Sequence, residues 1–151
     1  MGSLRSCQDY AIFDHFDLST ATKDRSMLGK LILLLSALVF TIYGLVCLFA
    51  PGVAASYAGL EMTNGNAYAE IGAMYGGLQT GMGLFCAIGA MQARHTRSAL
   101  LLLALVIGLL AAGRLYSTLT GEGAVTAYTW GALGYEVFTA VVAAIALRQM
   151  K

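Results

Sequence analysis

Glu70, Arg114 and Glu136 lie inside stretches that otherwise read as lipid-soluble helix. Moving a charge from water to the centre of a bilayer costs at least about 2.5 kcal/mol, so such residues pair, face a wet cavity or carry function. Two carboxyls and one guanidinium can form ion pairs, exchange protons or hydrogen-bond a ligand. Little else in the chain adds to that repertoire. His15 and His95 fall outside the apolar stretches, so two-histidine haem ligation across a bundle is not available. The cysteines are isolated, Cys7 in a polar head and Cys47 and Cys86 in apolar runs, with neither C-x-x-C nor zinc-ligand spacing. We expect no catalytic residues, no metal site and no enzyme activity.

Depth along a helix suggests which charges meet. At about 1.5 Å per residue, Glu70 sits within about one turn of the outer end of the second apolar stretch. Arg114 is roughly 24 Å from the inner end of the third, and Glu136 about 13 Å down the fourth. Matched depth favours a Glu70–Arg114 pair, which leaves Glu136 near the midplane as a candidate proton carrier. With Gln79 and Tyr75 these residues form the expected buried polar cluster, and Thr80 and Tyr135 supply further hydroxyls. Tyr43 also lies deep and needs a partner for its hydroxyl.

The elements that must position these residues follow from composition. Of 151 residues, 58% are hydrophobic and 11% charged, against about 25% charged in soluble domains. Mean hydropathy is +0.72. Four segments reach the roughly 20 apolar residues that a membrane helix needs: Leu28 to Ala50, Ala67 to Met91, Ser98 to Leu119 and Ala127 to Leu147. Pro51-Gly52 stops the first, because proline cannot continue a helix. The fold expected is all-α, a four-helix transmembrane bundle spanning residues 27–151.

Lys and Arg crowd the head, the connector Gln92 to Arg97 and the tail. The other two connectors carry only Glu61 and Glu122. The positive-inside rule then places both termini in the cytoplasm, and an integral protein of the plasma (bacterial inner) membrane is expected. Tyr57, Tyr68, Tyr116, Tyr128 and Trp130 cluster at the expected outer ends, where amphipathic rings favour the headgroup level. Residues 1–26 are too polar to cross. Ala11, Ile12, Phe13, Phe16 and Leu18 suit either a short helix on the inner surface or a cytosolic tail. Met1-Gly2 with Ser6 fits the myristoylation pattern, although four helices already supply the anchor. No basic patch interleaves with aromatics, so nucleic acid is not an expected partner.

In lipid, helices associate by van der Waals fit, and small residues mark close approach. Gly72 with Gly76 and Gly77 with Gly81 form two ridges on the second helix. Gly108 on the third and Gly131 with Gly134 on the fourth offer opposing grooves. The second helix is therefore the expected hub.

The run Ala69-Glu70-Ile71-Gly72-Ala73-Met74-Tyr75-Gly76-Gly77-Leu78-Gln79, together with Pro51 and Gly113-Arg114-Leu115, resembles an uncharacterised family of small bacterial four-helix membrane proteins. That family is catalogued as a domain of unknown function and is DoxX-like in general character. The resemblance covers about residues 30–148. It implies a glutamate on the last helix, which Glu136 matches, and commonly an arginine after Glu-Ile, where this chain has Gly72. A polar head of about 26 residues extends beyond the usual short N-terminus. A DoxX-type redox role would need cysteines or a cofactor site, which the sequence does not offer.

Three functions fit these features. The first is an accessory or structural subunit that packs through glycine-rich faces into a homo-oligomer or a larger membrane complex. The second is a proton-coupled transporter of a small apolar or cationic solute, with Glu136 exchanging the proton. The third is a subunit that binds quinone or lipid between helices near Tyr75, Arg114 and Glu136; no other cofactor is evident.

Overall fold

The computed structural model describes the backbone of residues 5–150 and the side chains of residues 27–150. Helix α1 (Arg5–Phe49) contains the first apolar span, Met27–Phe49. The surface-helix and myristoylation expectations concern side chains outside the described ones. Helix α1 ends before Pro51, as the missing proline N–H requires, and the same residue then opens a new helix, α2 (Pro51–Ala58). At a first helical position the absent N–H has no partner to lose. Gly59, at φ 70°, closes α2 in the left-handed region, a conformation that costs glycine little.

Asn64 starts the second span by accepting from the N–H groups of Asn66 (3.0 Å) and Ala67 (3.2 Å), satisfying two donors that a helix start leaves open. Helix α3 (Gly65–Glu70) continues through a π-helical segment (Ile71–Gly77) into α4 (Leu78–Met91). The expected connector from Gln92 to Arg97 shrinks to Gln92 alone, at φ −119° and ψ 108°. Helix α5 (Ala93–Leu102) resumes immediately. Its first turn tolerates charge because Arg94 and Arg97 are exposed while Thr96, Ala99 and Leu100 are buried. The Thr96 hydroxyl donates to the Gly89 carbonyl at 2.7 Å and ties the tight hairpin. A second π segment (Leu103–Ile107) leads into α6 (Gly108–Thr120), and α7 (Ala127–Gln149) forms the fourth span. The four spans are Met27–Phe49, Gly65–Met91, Ala93–Thr120 and Ala127–Gln149, all long and apolar enough to cross a membrane.

The hub is α1 rather than the second span. It packs along α4 and the first π segment on one side and along α7 on the other. Helix α5 closes the ring by touching both α4 and α7, whereas α6 leans on α7 and has no substantial packing against α4 or the first π segment. The second and third spans are thus joined at their Gln92 end and apart at the opposite end, beside α2. Near Gln92 all four spans fill one core, including Leu33, Phe40, Cys86, Leu100, Leu103, Ile107 and Ala143. A smaller core under α2 joins Cys47, Ala54, Ala55 and Ile71.

The glycines that bring helices together also differ from those expected. A side chain at Gly72, Gly81, Gly131 or Gly134 would meet nothing within 4 Å, and one at Gly77 only its own helix. Gly108 makes an ordinary contact with Ala140 at 3.7 Å, and Gly76 faces Leu48 at 3.1 Å. The closest approaches are at Gly44, whose added Cβ would lie 2.6 Å from the Thr80 amide nitrogen, and at Gly83, 2.6 Å from that of Thr41. Gly89 lies against Ala99. Gly76 and Gly83 are seven residues apart, close to two full turns, so they keep one face toward α1. A four-residue pair covers a single turn, which does not say that a neighbour lies there.

Candidate ligand-binding site

Where the second and third spans part, a cavity of about 870 Å³ opens at the α2 end of the bundle. Helix α1 contributes Val39, Phe40 and Tyr43, and α6 contributes Leu109, Leu110, Gly113 and Arg114. Tyr75 and Gln79 line it from the second span, and Tyr128, Tyr135 and Glu136 from α7. Ser117, Thr118 and Thr129 add hydroxyls, yet most of the wall surface is apolar, and the size is that of many ligand sites of roughly 300–1,000 Å³.

Arg114 and Glu136 are the charged pair of this cavity. Arg114 Nε donates to Glu136 Oε1 at 3.0 Å and Oε2 at 2.9 Å, and Nη2 donates to Oε1 at 2.6 Å. The Glu136 side chain is 6% exposed and that of Arg114 25%, so the carboxylate is enclosed while the guanidinium looks into the cavity. Both carboxylate oxygens are engaged. Arg114 Nη1 has no hydrogen-bond partner among the described residues.

The expected Glu70–Arg114 pair does not form. Glu70 is exposed at the end of α3 and makes no ion pair among the described residues. Side chains on a helix lean toward its N-terminus. Arg114 on α6 therefore leans toward the midplane, and Glu136 on the antiparallel α7 leans toward the α2 end. Their unequal Cα depths converge. Glu70 leans the other way from Arg114, across the gap where α6 and the second span do not pack. Adjacency and lean, rather than depth, select the partner. Tyr75, 41% exposed, and Gln79, partly buried, belong to the cavity wall rather than to a buried cluster.

Sequence reasoning left out the partner of Tyr43. Its hydroxyl lies 3.1 Å from that of Tyr128, which turns inward from the aromatic ring of residues at that end. Tyr57, Tyr68, Tyr116 and Trp130 stay more than half exposed. The Tyr135 ring meets Phe40 edge-on, with centroids 6.0 Å apart and planes at 67°. Its hydroxyl is buried beside those of Ser36 and Thr139 in the adjoining core. The Tyr135 ring thus belongs to the cavity wall while its polar end belongs to the core.

Chemically, the site can hold an apolar body against α1 and α6 and offer donors to its polar end. No pair of unengaged carboxylates lines it, so it has no acidic cradle for a cation. Searches of curated proteins and of solved structures returned no match to the chain. Residues 28–147 match the family described as Domain of unknown function (DUF4345), and the chain, with its four apolar helices, belongs to that family.

Proposed function

We propose that this protein binds a lipid-soluble small molecule inside the bilayer. The single observation that carries the reading is the apolar-walled cavity with the Arg114–Glu136 pair in it, on the side where α6 and the second span do not pack. A gap between spans gives a hydrophobic ligand a lateral way in from the acyl chains. The ion pair fixes the guanidinium in place before a ligand arrives, which lowers the ordering cost of binding. Proton-coupled transport through Glu136 is supported less, because a proton carrier there would have to break three hydrogen bonds to Arg114 on each cycle. Ligand binding leaves them intact.

A second reading, a subunit of an oligomer or a larger membrane complex, has one specific observation behind it. Gly72 and Gly81 on the second span would meet nothing among the described residues if given side chains, so neither small-residue position is covered there. The two readings are compatible, since a ligand-binding bundle can also be a subunit.

The test is native mass spectrometry of gently extracted protein and of Gly113→Leu. Gly113 lines the cavity, and a side chain there has open space around it. The wild type should retain a small hydrophobic mass that Gly113→Leu loses while still unfolding cooperatively. Equal retention by both proteins, or none by either, would overturn the reading.

A further inference from the structure

We infer that the ligand of this cavity is an uncharged lipophile whose polar head is a hydrogen-bond acceptor of the carbonyl type, as in a quinone ring. The inference rests on the ligand-binding reading above and narrows it by charge and by donor geometry.

Among the described residues lining the cavity, Glu136 is the one carboxylate and Arg114 the one cationic side chain, and their formal charges cancel. A cationic head would find both carboxylate oxygens engaged by Arg114 Nε and Nη2, with the like-charged guanidinium beside them, and only the tyrosine rings left to face it. An anionic head would meet a guanidinium that is already compensated, with the Glu136 carboxylate on its other edge repelling it. In a medium of low polarity either mismatch is severe, because an unpaired buried charge keeps most of its desolvation cost. A neutral head avoids both.

The donor count gives the second constraint. A guanidinium carries five N–H bonds. Glu136 occupies the Nε side, which leaves the Nη1 pair and one Nη2 hydrogen without partners among the described residues. In the Tyr43–Tyr128 contact one hydroxyl donates to the other, so one phenolic hydrogen of the two remains for another acceptor. The Gln79 amide and the Ser117, Thr118 and Thr129 hydroxyls both donate and accept, so the excess of donors sits at Arg114. A carbonyl oxygen has two lone pairs and no proton of its own, so it satisfies the end-on fork of Arg114 without adding a competing donor. The apolar body then lies against Val39, Phe40, Leu109 and Leu110.

The test uses three probes with the same ten-carbon chain on the full-length protein in detergent: a decyl-substituted benzoquinone, decanoate at pH 8, and decyltrimethylammonium. Affinity is measured from thermal stabilisation over a concentration series, with Gly113→Leu as the blocked-cavity control. The quinone should bind at least about tenfold more tightly than either charged probe, a difference of about 1.4 kcal/mol. Arg114→Lys, which keeps the charge but loses the fork, should remove that preference. Should Arg114→Lys fail to fold, Tyr128→Phe supplies a second reading and should weaken the quinone at least about threefold while leaving the charged probes unchanged. Preference for decanoate or decyltrimethylammonium, or a quinone preference that survives these substitutions, would overturn the inference and leave lipophile binding standing. If no probe stabilises the wild type more than Gly113→Leu, the ligand-binding reading falls with it.

Discussion

The two halves of the bundle solve different problems with the same four spans. Near Gln92 the helices converge. Leu33, Leu100, Leu103 and Ile107 are fully buried there, and Gly83 and Gly89 let backbones approach to the limit of contact. Toward α2 the second and third spans separate, and an ion pair and a hydroxyl pair line the cavity between them. The tight half carries stability through packing, which in lipid is the main attraction between helices. The open half gives up that packing for a chamber. Its ion pair joins α6 to α7, which among the described residues is the one substantial helix contact that α6 makes outside its own span.

The difference predicts where substitutions hurt. The largest effect is expected in the tight seam between α1 and the second span. Gly83→Leu would drive a side chain into the Thr41 backbone, and overpacking of this kind costs at least about 1–3 kcal/mol; a backbone obstacle adds to it. Thermal unfolding in detergent should show a strongly destabilised or unfolded bundle, while Gly81→Ala two residues away should behave as the wild type. Similar losses from both would erase the distinction between covered and open glycine faces.

Next comes the pair that holds α6. Glu136→Gln leaves Arg114 without its counter-charge. Breaking a buried pair costs about 3–5 kcal/mol, and the partial exposure of Arg114 should reduce this to about 3 kcal/mol or less. Glu70→Gln, on an exposed carboxyl, should stay within about 0.5 kcal/mol of the wild type. Equal effects at the two glutamates would argue that Arg114 alternates between them. Thr96→Val should cost about 1 kcal/mol through the lost hydrogen bond to the Gly89 carbonyl. It should destabilise the Gln92 hairpin without altering what the cavity binds, as read by the probe series. A change in probe affinity would mean that the two halves are coupled.

Each of the spans flanking the gap carries one π segment, Ile71–Gly77 in the second and Leu103–Ile107 in the third. Such segments are frequent at functional sites because they shift the register of side chains along a helix. Here the first contains Tyr75 and the second leads directly into Leu109 and Leu110, all on the cavity wall.

What the sequence determined by itself is whatever depends on composition along the chain. Four apolar runs with polar connectors define four spans, because hydrophobic length is a local property. Pro51 ends the first span for an equally local reason. The presence of Glu70, Arg114 and Glu136 in apolar surroundings already marked polar chemistry within the spans. Their pairing was not legible, because depth along the chain does not reveal which helices touch or which way a side chain leans. The same limit applied to glycine, where Gly72 and Gly81 looked as suited to packing as Gly76. Only the tertiary structure, with α1 at its centre and the second and third spans parted beyond their hairpin, decided which small residues met a neighbour. It likewise decided that Arg114 reached Glu136 and that a chamber opened beside them. Which surfaces meet is a property of the whole packing, and a linear pattern of residue types does not contain it.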